Sequence, residues 1–224
     1  MTLMIPEING LLRKNLIILP KVFDEASGIR INGKLIKSLL FSTDIAIIRN
    51  TNADAIIAVY PFTPQPIITE ALMIAAQVPV FCGIGGGTTS GLRVVNLALH
   101  AEFQGAMGVV VNAPLPNKIL AQVAKRIDIP IVVTVVSKDE NIEERLNSGA
   151  NILNVSGAYQ TPDIVAKIRD NFPEVPIIAT GGPTEETILA TIKAGANAVT
   201  YTPPTNGEIF RQLMDKYRQT LITK

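Results

Sequence analysis

A single (β/α)₈ barrel with an N-terminal helical extension is the fold this sequence predicts, and three observations predict it. The segment 174–210 reads strand, turn, helix, strand, turn, helix, which is a βαβ unit of parallel strands. Its markers recur upstream. Gly-Ala leading into an apolar run stands at Gly105-Ala106, Gly149-Ala150 and Gly195-Ala196, 44 and 46 residues apart, and Asn52-Ala53-Asp54-Ala55 is a weaker fourth copy. A proline opens a second apolar run between them, at Pro79, Pro130 and Pro176. Four repeats of about 45 residues, each holding two strands and two helices, give eight strands. The third observation is composition: 224 residues at 47% hydrophobic suffice for one large core. An open doubly wound sheet is the alternative, and so regular a spacing favours closure. The expected division is residues 1–34 as an extension capping the barrel and 35–224 as the barrel itself.

Several function classes drop out on composition. Mean hydropathy is positive, +0.31, yet Gly, Pro and charges break the apolar runs well short of the ~18 residues of a spanning helix. The excess belongs to strands covered on both faces. The opening MTLMIPEING carries no basic stretch ahead of an apolar one, so no signal peptide is expected. One cysteine precludes an internal disulfide and fits a reducing, cytoplasmic compartment. With 20 Lys+Arg against 19 Asp+Glu there is no basic field for nucleic acid, and no membrane partner is expected. Fifteen prolines and few charges leave room for a homo-oligomer.

Taken in order, Ile8–Ile18 fits a short helix carrying Leu11, Leu12 and Leu16, and Asp24–Gly33 is polar and turn-rich. The first strand is expected at Ser38–Ser42 and ends at Asp44. That carboxylate serves either as the N-cap of a helix from Ile45 or as a catalytic group at the C-terminal mouth, where such barrels keep their chemistry. The second strand, Ala55–Tyr60, leads into a proline-stiffened loop, with Tyr60 a candidate pocket liner. The third, Val80–Cys82, runs into the glycine-dense stretch Gly83–Gly91. Backbone at Gly85 and Gly86 can approach an anion closely, and Thr88 and Thr89 add hydroxyls. Cys82 has no His or Lys partner in sequence and reads as a buried small hydrophobe. His100 falls mid-helix, away from the mouth. The fourth strand, Val109–Val111, ends at Asn112, whose amide can meet a ligand.

The fifth strand, Ile131–Val136, ends in Ser137-Lys138-Asp139-Glu140. Lys138 can neutralise an anionic substrate and Asp139 can act as a base, or the cluster is solvated helix-start chemistry. The sixth, Ile152–Val155, ends at Ser156, a polar liner. The seventh, Val175–Ala179, closes on Gly181-Gly182 ahead of a helix that stops at Gly195. The eighth, Asn197–Tyr201, gives way to Pro203-Pro204, with Thr205, Asn206 and Gly207 at the start of the last helix. His and Cys are too few for a zinc cluster, so no metal is expected.

Two resemblances follow from these residues. CGIGGGTTSGLRVVNLALHAEFQGAMGVVVNAPLPN, residues 82–117, resembles the strand–helix–strand of the dihydrodipicolinate synthase and N-acetylneuraminate lyase family. That family carries paired tyrosines after the proline, where this chain has Leu115-Pro116, and a Schiff-base lysine on strand six, where Asn151–Ser156 has none. Its carbanion chemistry is therefore not carried over. PIIATGGPTEETILATIKAGANAVTY resembles the strand seven–strand eight portion of the phosphate-binding barrels, among them thiamine phosphate synthase and the glycerol-uptake antiterminator proteins. There, backbone N–H groups at Gly-Gly and at a helix N-terminus hold the phosphate. Gly181-Gly182 match, whereas Pro203 and Pro204 supply no N–H.

The resulting expectation is a small-molecule enzyme, a lyase (aldolase-like) or isomerase, acting on a small anionic metabolite, phosphorylated or not. Gly181, Gly182, Thr205, Asn206 and Gly207 would hold the anion and Asp44, Lys138 or Asp139 would move protons. The alternative is a non-catalytic, metabolite-binding regulatory barrel resembling the antiterminators. Flavin mononucleotide (FMN) is the one cofactor that the shared Gly-Gly cup suggests. No further flavin signal accompanies it, so none is expected.

Overall fold

The computed structural model describes Pro6, Ile8 and residues 16–222. Among them, eight parallel strands close into a barrel: β3 (Ser38–Phe41), β4 (Ala55–Ala58), β5 (Val80–Gly85), β6 (Gly108–Val111), β7 (Ile131–Val135), β8 (Ile152–Val155), β9 (Ile177–Thr180) and β10 (Ala198–Tyr201). Each pairs with its successor, and β10 returns to β3 with Val199 opposite Ser38. Two shorter strands precede them, β1 (Ile29–Ile31) and β2 (Lys34–Ile36). The helices are α1 (Ile45–Arg49), α2 (Pro66–Ala75), α3 (Leu92–Phe103), α4 (Asn117–Ala124), α5 (Ile142–Asn147), α6 (Thr161–Asn171), α7 (Glu185–Lys193) and α8 (Asn206–Ile222). No helix among the described residues is long and apolar enough to cross a membrane. Closure overrules the open doubly wound sheet.

Strand sequence explains the two cores. β4 and β6 are buried at every position, as strands covered on both faces must be. Alternate residues separate inward from outward. Leu39, Ile57, Phe81, Val110, Val132, Ile152, Ile178 and Ala198 fill the barrel interior. Leu40, Ile56, Val109, Val133, Leu153 and Val199 pack outward with the helices. The N-terminal end of the interior is stopped by the β1–β2 hairpin, whose Ile29, Ile31 and Ile36 join the inner core.

That hairpin corrects the sequence reading in two places. The polar, turn-rich stretch Asp24–Gly33 contains β1, and the boundary drawn at residue 34 cuts β2. Asn32 and Gly33 make the turn, with φ of 47° and 81°, the left-handed pair that a tight hairpin needs. The helix expected at Ile8–Ile18 does not reach its end: Ile17 makes a parallel bridge to Thr51. Its Leu11 and Leu12 lie outside the described residues. A third correction concerns the glycine stretch. β5 does not stop at Cys82 but continues to Gly85, pairing Gly83 with Val110 and Gly85 with Val111 across a register shift.

The 45-residue repeat has a hydrogen-bonding cause. Asn151 Oδ1 accepts the Ile131 N–H at 2.9 Å, Asn197 Oδ1 accepts the Ile177 N–H at 2.9 Å, and Asp54 Oδ2 accepts the Lys37 and Ser38 N–H groups at 2.9 and 3.0 Å. Each polar residue after Gly-Ala or Asn-Ala therefore satisfies the first donor of the preceding strand, which the ladder leaves unpaired. Asn197 also accepts from Arg169 Nη2 at 2.8 Å and donates to Ser27 Oγ at 3.0 Å. Asn197→Ala is expected to lower the unfolding free energy by about 2–3 kcal/mol and Asn151→Ala by about 1–2 kcal/mol, the scale of an orphaned buried donor. Urea titration measures both, and the order should hold.

Candidate functional site

The strand ends bring a polar wall to the C-terminal mouth. On β7 to β10 the inward positions change from aliphatic to polar toward the mouth: Val132 gives way to Thr134, Ile152 to Asn154 and Ser156, Ile178 to Thr180, Ala198 to Thr200. Asn154 Nδ2 lies 3.4 Å from Thr134 Oγ1 on the neighbouring strand, and the Thr180 hydroxyl donates to Ser156 Oγ at 3.3 Å. Thr200 donates to the Ala179 carbonyl at 3.1 Å. At the β9–β10 end of this wall opens a cavity of about 740 Å³, lined by Thr180, Gly182, Thr200, Thr202, Glu208 and Arg211 together with Pro203 and Pro204. Thr134, Asn154, Thr180, Thr200, Glu208 and Arg211 were not nominated from sequence. The available signal was a polar residue near the end of an otherwise aliphatic strand, four times running, in IVVTV, ILNV, IIAT and AVTY.

Gly181 and Gly182 take the place expected of them at the end of β9. Gly182 has φ of 83°, and a Cβ there would fall 2.7 Å from Thr187 Oγ1. Several donors flanking this cup, those of Thr184, Thr187 and Thr205, are engaged by the protein's own side chains. Thr184 and Thr187 cap α7 reciprocally, each hydroxyl accepting the other's backbone N–H at 3.3 and 3.2 Å. At α8 the Glu208 carboxylate accepts the Thr205 N–H at 2.7 Å and its O–H at 2.8 Å, while Glu208 N–H donates to Thr205 Oγ1. Glu208 thus stands where an incoming anion would collect these donors.

Those hydrogen bonds, the Thr205 backbone first, hold the Glu208 carboxyl below its ordinary 4.5. The cap is fully present above pH 4.5 and is lost as pH falls through the lowered native value. Acid titration followed by NMR should show the Thr205 amide signal moving with that protonation.

Asp44 and Asn206 meet at the seam between β3 and β10. Asp44 Oδ1 accepts the Ala46 and Ile47 N–H groups at 2.9 and 3.2 Å, capping α1, and its Oδ2 accepts from Asn206 Nδ2 at 2.6 Å. Gly207 follows in the exposed first turn of α8. Across the mouth, a second cavity of about 210 Å³ gathers Tyr60, Gly85, Gly86, Thr88, Thr89 and Asn112. Gly86 has φ of 109°, and a Cβ would fall 2.6 Å from Asn112 Cβ, so the loop lies flat on that residue. Gly86 N–H donates to the Thr89 carbonyl, Thr89 Oγ1 to Thr63 Oγ1, and Gln65 N–H to the Tyr60 hydroxyl. Cys82 is buried behind this loop, and desolvation pushes its thiol up to about 12.

Lys138 and Asp139 are not brought to either cavity. Lys138 Nζ pairs with Asp163 Oδ2 of α6 at 2.9 Å on the outer surface, and the Asp139 N–H donates to Ser137 Oγ. Arg145 instead ties the neighbouring loops together: Nε reaches Glu140 Oε1 at 2.8 Å, Nη1 reaches Asn117 Oδ1 at 2.7 Å, and Nη2 reaches the Ala113 carbonyl at 2.7 Å. No three His, Cys, Asp or Glu side chains converge among the described residues.

No protein-family model matches the chain. A segment is 39% identical over 66 residues to an uncharacterised DapA-like lyase of Pyrococcus abyssi, a match covering 26% of this chain and 22% of that protein. Solved structures align over most of the barrel. Phosphonopyruvate hydrolase, in complex with oxalate and Mg++, gives a TM-score of 0.61 at 12% identity, covering 86% of this chain and 83% of the other. The 4-hydroxy-tetrahydrodipicolinate synthase of Methylacidiphilum fumariolicum gives 0.57 at 16%, covering 78% and 66%. Thiamine phosphate pyrophosphorylase from Pyrococcus furiosus gives 0.56 at 18%, covering 74% and 84%. What these share with the chain is the barrel fold.

Asp44 can be dissected by stability. Asp44→Ala should lose about 1 kcal/mol through the α1 cap, whereas Asp44→Asn keeps a capping oxygen and should stay within about 0.5 kcal/mol of the wild type. Equilibrium denaturation of the two variants checks this.

Proposed function

We propose that this barrel is a lyase of the aldolase type that acts on a small organic acid at its C-terminal mouth. The observation that carries the reading is the set of polar inward residues Thr134, Asn154, Ser156, Thr180 and Thr200 in an otherwise aliphatic interior, of which Thr180 and Thr200 line an open cavity of about 740 Å³. Polar side chains inside a barrel are costly unless they are hydrogen-bonded, and a few of them converging under a cavity is how small-molecule sites are built. The names of the similar proteins, a DapA-like lyase and a hydrolase of phosphonopyruvate solved with oxalate, support small acids as the substrate class. Arg211 at the rim would neutralise the acid's charge, with the inner hydroxyls and amide fixing its orientation. Asp44 is the nominated proton-transfer group that stands at the mouth.

The test is to incubate the protein in deuterated water with a panel of 2-oxo and hydroxy acids and follow carbon–carbon cleavage and carbon–hydrogen exchange by NMR. Cleavage or exchange of at least one acid is expected, slowed about a hundredfold or more in Asp44→Asn, the usual worth of a general acid or base. Neither cleavage nor exchange across the panel would reject the lyase reading. A second reading, a metabolite-binding barrel without turnover, is favoured by the structural employment of the nominated groups: Asp44 caps α1 and Lys138 pairs with Asp163. Ligand binding that persists with no chemistry in the same panel would support it.

A further inference from the structure

The barrel's outer wall is not uniform. Among the described residues, the large apolar side chains exposed on helices α1 to α7 all lie on the first three: Ile45, Ile67, Ile74, Leu92 and Phe103, the last four at 67, 76, 72 and 76% exposure. A helix laid on a barrel turns its polar side to water, and α6 does so with Asp163, Lys167 and Asp170 at helical spacing. At similar spacing α2 shows Ile67, Glu70 and Ile74, and α3 shows Leu92, Asn96 and Phe103. Because α2 lies beside both α1 and α3, these residues share one face. The last helix, α8, also exposes Phe210 and Tyr217, but Arg211, Asp215, Lys216 and Arg218 stand among them.

We propose that this face is where two copies of the chain pair, α2 of each against α3 of the other. Charge decides the occupant. The acidic and basic residues of α1, α2 and α3, His100 aside, are Arg49, Glu70, Arg93 and Glu102. Arg49 donates to the Ala75 carbonyl and Glu102 accepts the Asp128 and Ile129 N–H groups, so both serve their own barrel. The side chains of Glu70 and Arg93 have no ion-pair or hydrogen-bond partner among the described residues. One acid and one base on neighbouring helices are satisfied twice over by a two-fold contact, in which Glu70 of each copy meets Arg93 of the other. Both helices run away from the mouth, as crossovers between parallel strands do. With the axis along them, Ile67 comes level with Leu92 and Ile74 approaches Phe103. An apolar centre poor in charge is the composition of a homodimer interface. A lipid surface asks instead for a basic rim, and here acid and base balance. The outer faces of the three helices, of 5, 10 and 12 residues, cover roughly 500 Å² in projection. Phe62, 73% exposed in the loop ahead of α2, extends them toward the about 800 Å² that a standard interface takes from each partner.

Sedimentation velocity of the full chain, from about 1 to about 100 μM, tests the proposal, with a dimer expected that dissociates on dilution. Ile67→Arg combined with Ile74→Arg should raise the dimer Kd at least about a hundredfold while the circular dichroism stays that of the folded barrel, since both side chains are exposed in the single chain. Glu70→Arg and Arg93→Glu should each raise it about tenfold by setting like charges together, and the two combined should recover most of the loss. Phe210→Glu on α8 should leave it unchanged. A wild-type protein that is monomeric across the range overturns the proposal, as does a dimer indifferent to the isoleucine substitutions or weakened only by Phe210→Glu. Charge reversals that do not rescue each other overturn the pairing of α2 with α3. A monomer that co-sediments with phosphatidylcholine vesicles would overturn it in favour of a membrane contact.

Discussion

Eight parallel strands that close on themselves are covered on both faces, by helices outside and by one another's side chains inside. Water reaches the interior at neither face, so each inward residue has to be apolar or paired. The lower interior obeys by filling with Leu, Ile, Val and Phe, and the β1–β2 hairpin completes it with three isoleucines. Toward the mouth, polar residues replace the aliphatic ones, and their hydrogen-bonding needs are met only in part by one another. The site is the region in which the barrel relaxes its own rule.

Side-chain oxygens and two arginines hold the ends of the strands. Asp54, Asn151 and Asn197 each receive the first N–H of the preceding strand. Arg169 gathers the carbonyls of Pro173, Val175 and Gly195 at the N-terminal end. Arg145 does the corresponding work at the mouth between the loops after β6 and β7. These groups are fixed by backbone partners, so their charge is spent on architecture. Arg211, whose surroundings include the mouth cavity, is differently placed.

The barrel was legible because its period is written in recurring residues, Gly-Ala or Asn-Ala ahead of every second strand, followed at three of the four by an Asn or Asp that does the same job. Strands six and eight came within a residue of their observed bounds for the same reason. The hairpin was missed although Asn32-Gly33 is a strong turn signal, because the run of charged and small residues from Asp24 hid two three-residue strands. The glycine stretch misled in the opposite direction: Gly83 and Gly85 read as loop, yet they continue β5, since pairing with Val110 and Val111 overrides a weak intrinsic preference. Lys138 could not be placed from sequence, because the direction of a loop after a strand depends on a partner, Asp163, that lies 25 residues further along. Asn154 was passed over within an apolar strand. Its meaning depends on which face it occupies, and a four-residue strand does not declare that on its own.

The hydrogen bond from Asn206 to Asp44 spans 162 residues of sequence. It lies beside the pairing of β10 with β3, the one strand contact in the barrel that joins opposite ends of the described chain. Every other neighbouring pair is linked by a single crossover, so the entropy of ring closure falls almost entirely on this seam. Such a contact is slow to gain in folding and early to be lost in breathing. The larger cavity is walled by β9, β10 and the start of α8, directly against the seam. A ligand settled there would therefore act as a latch, and its occupancy would be read out in how seldom the cylinder opens along its one long-range join.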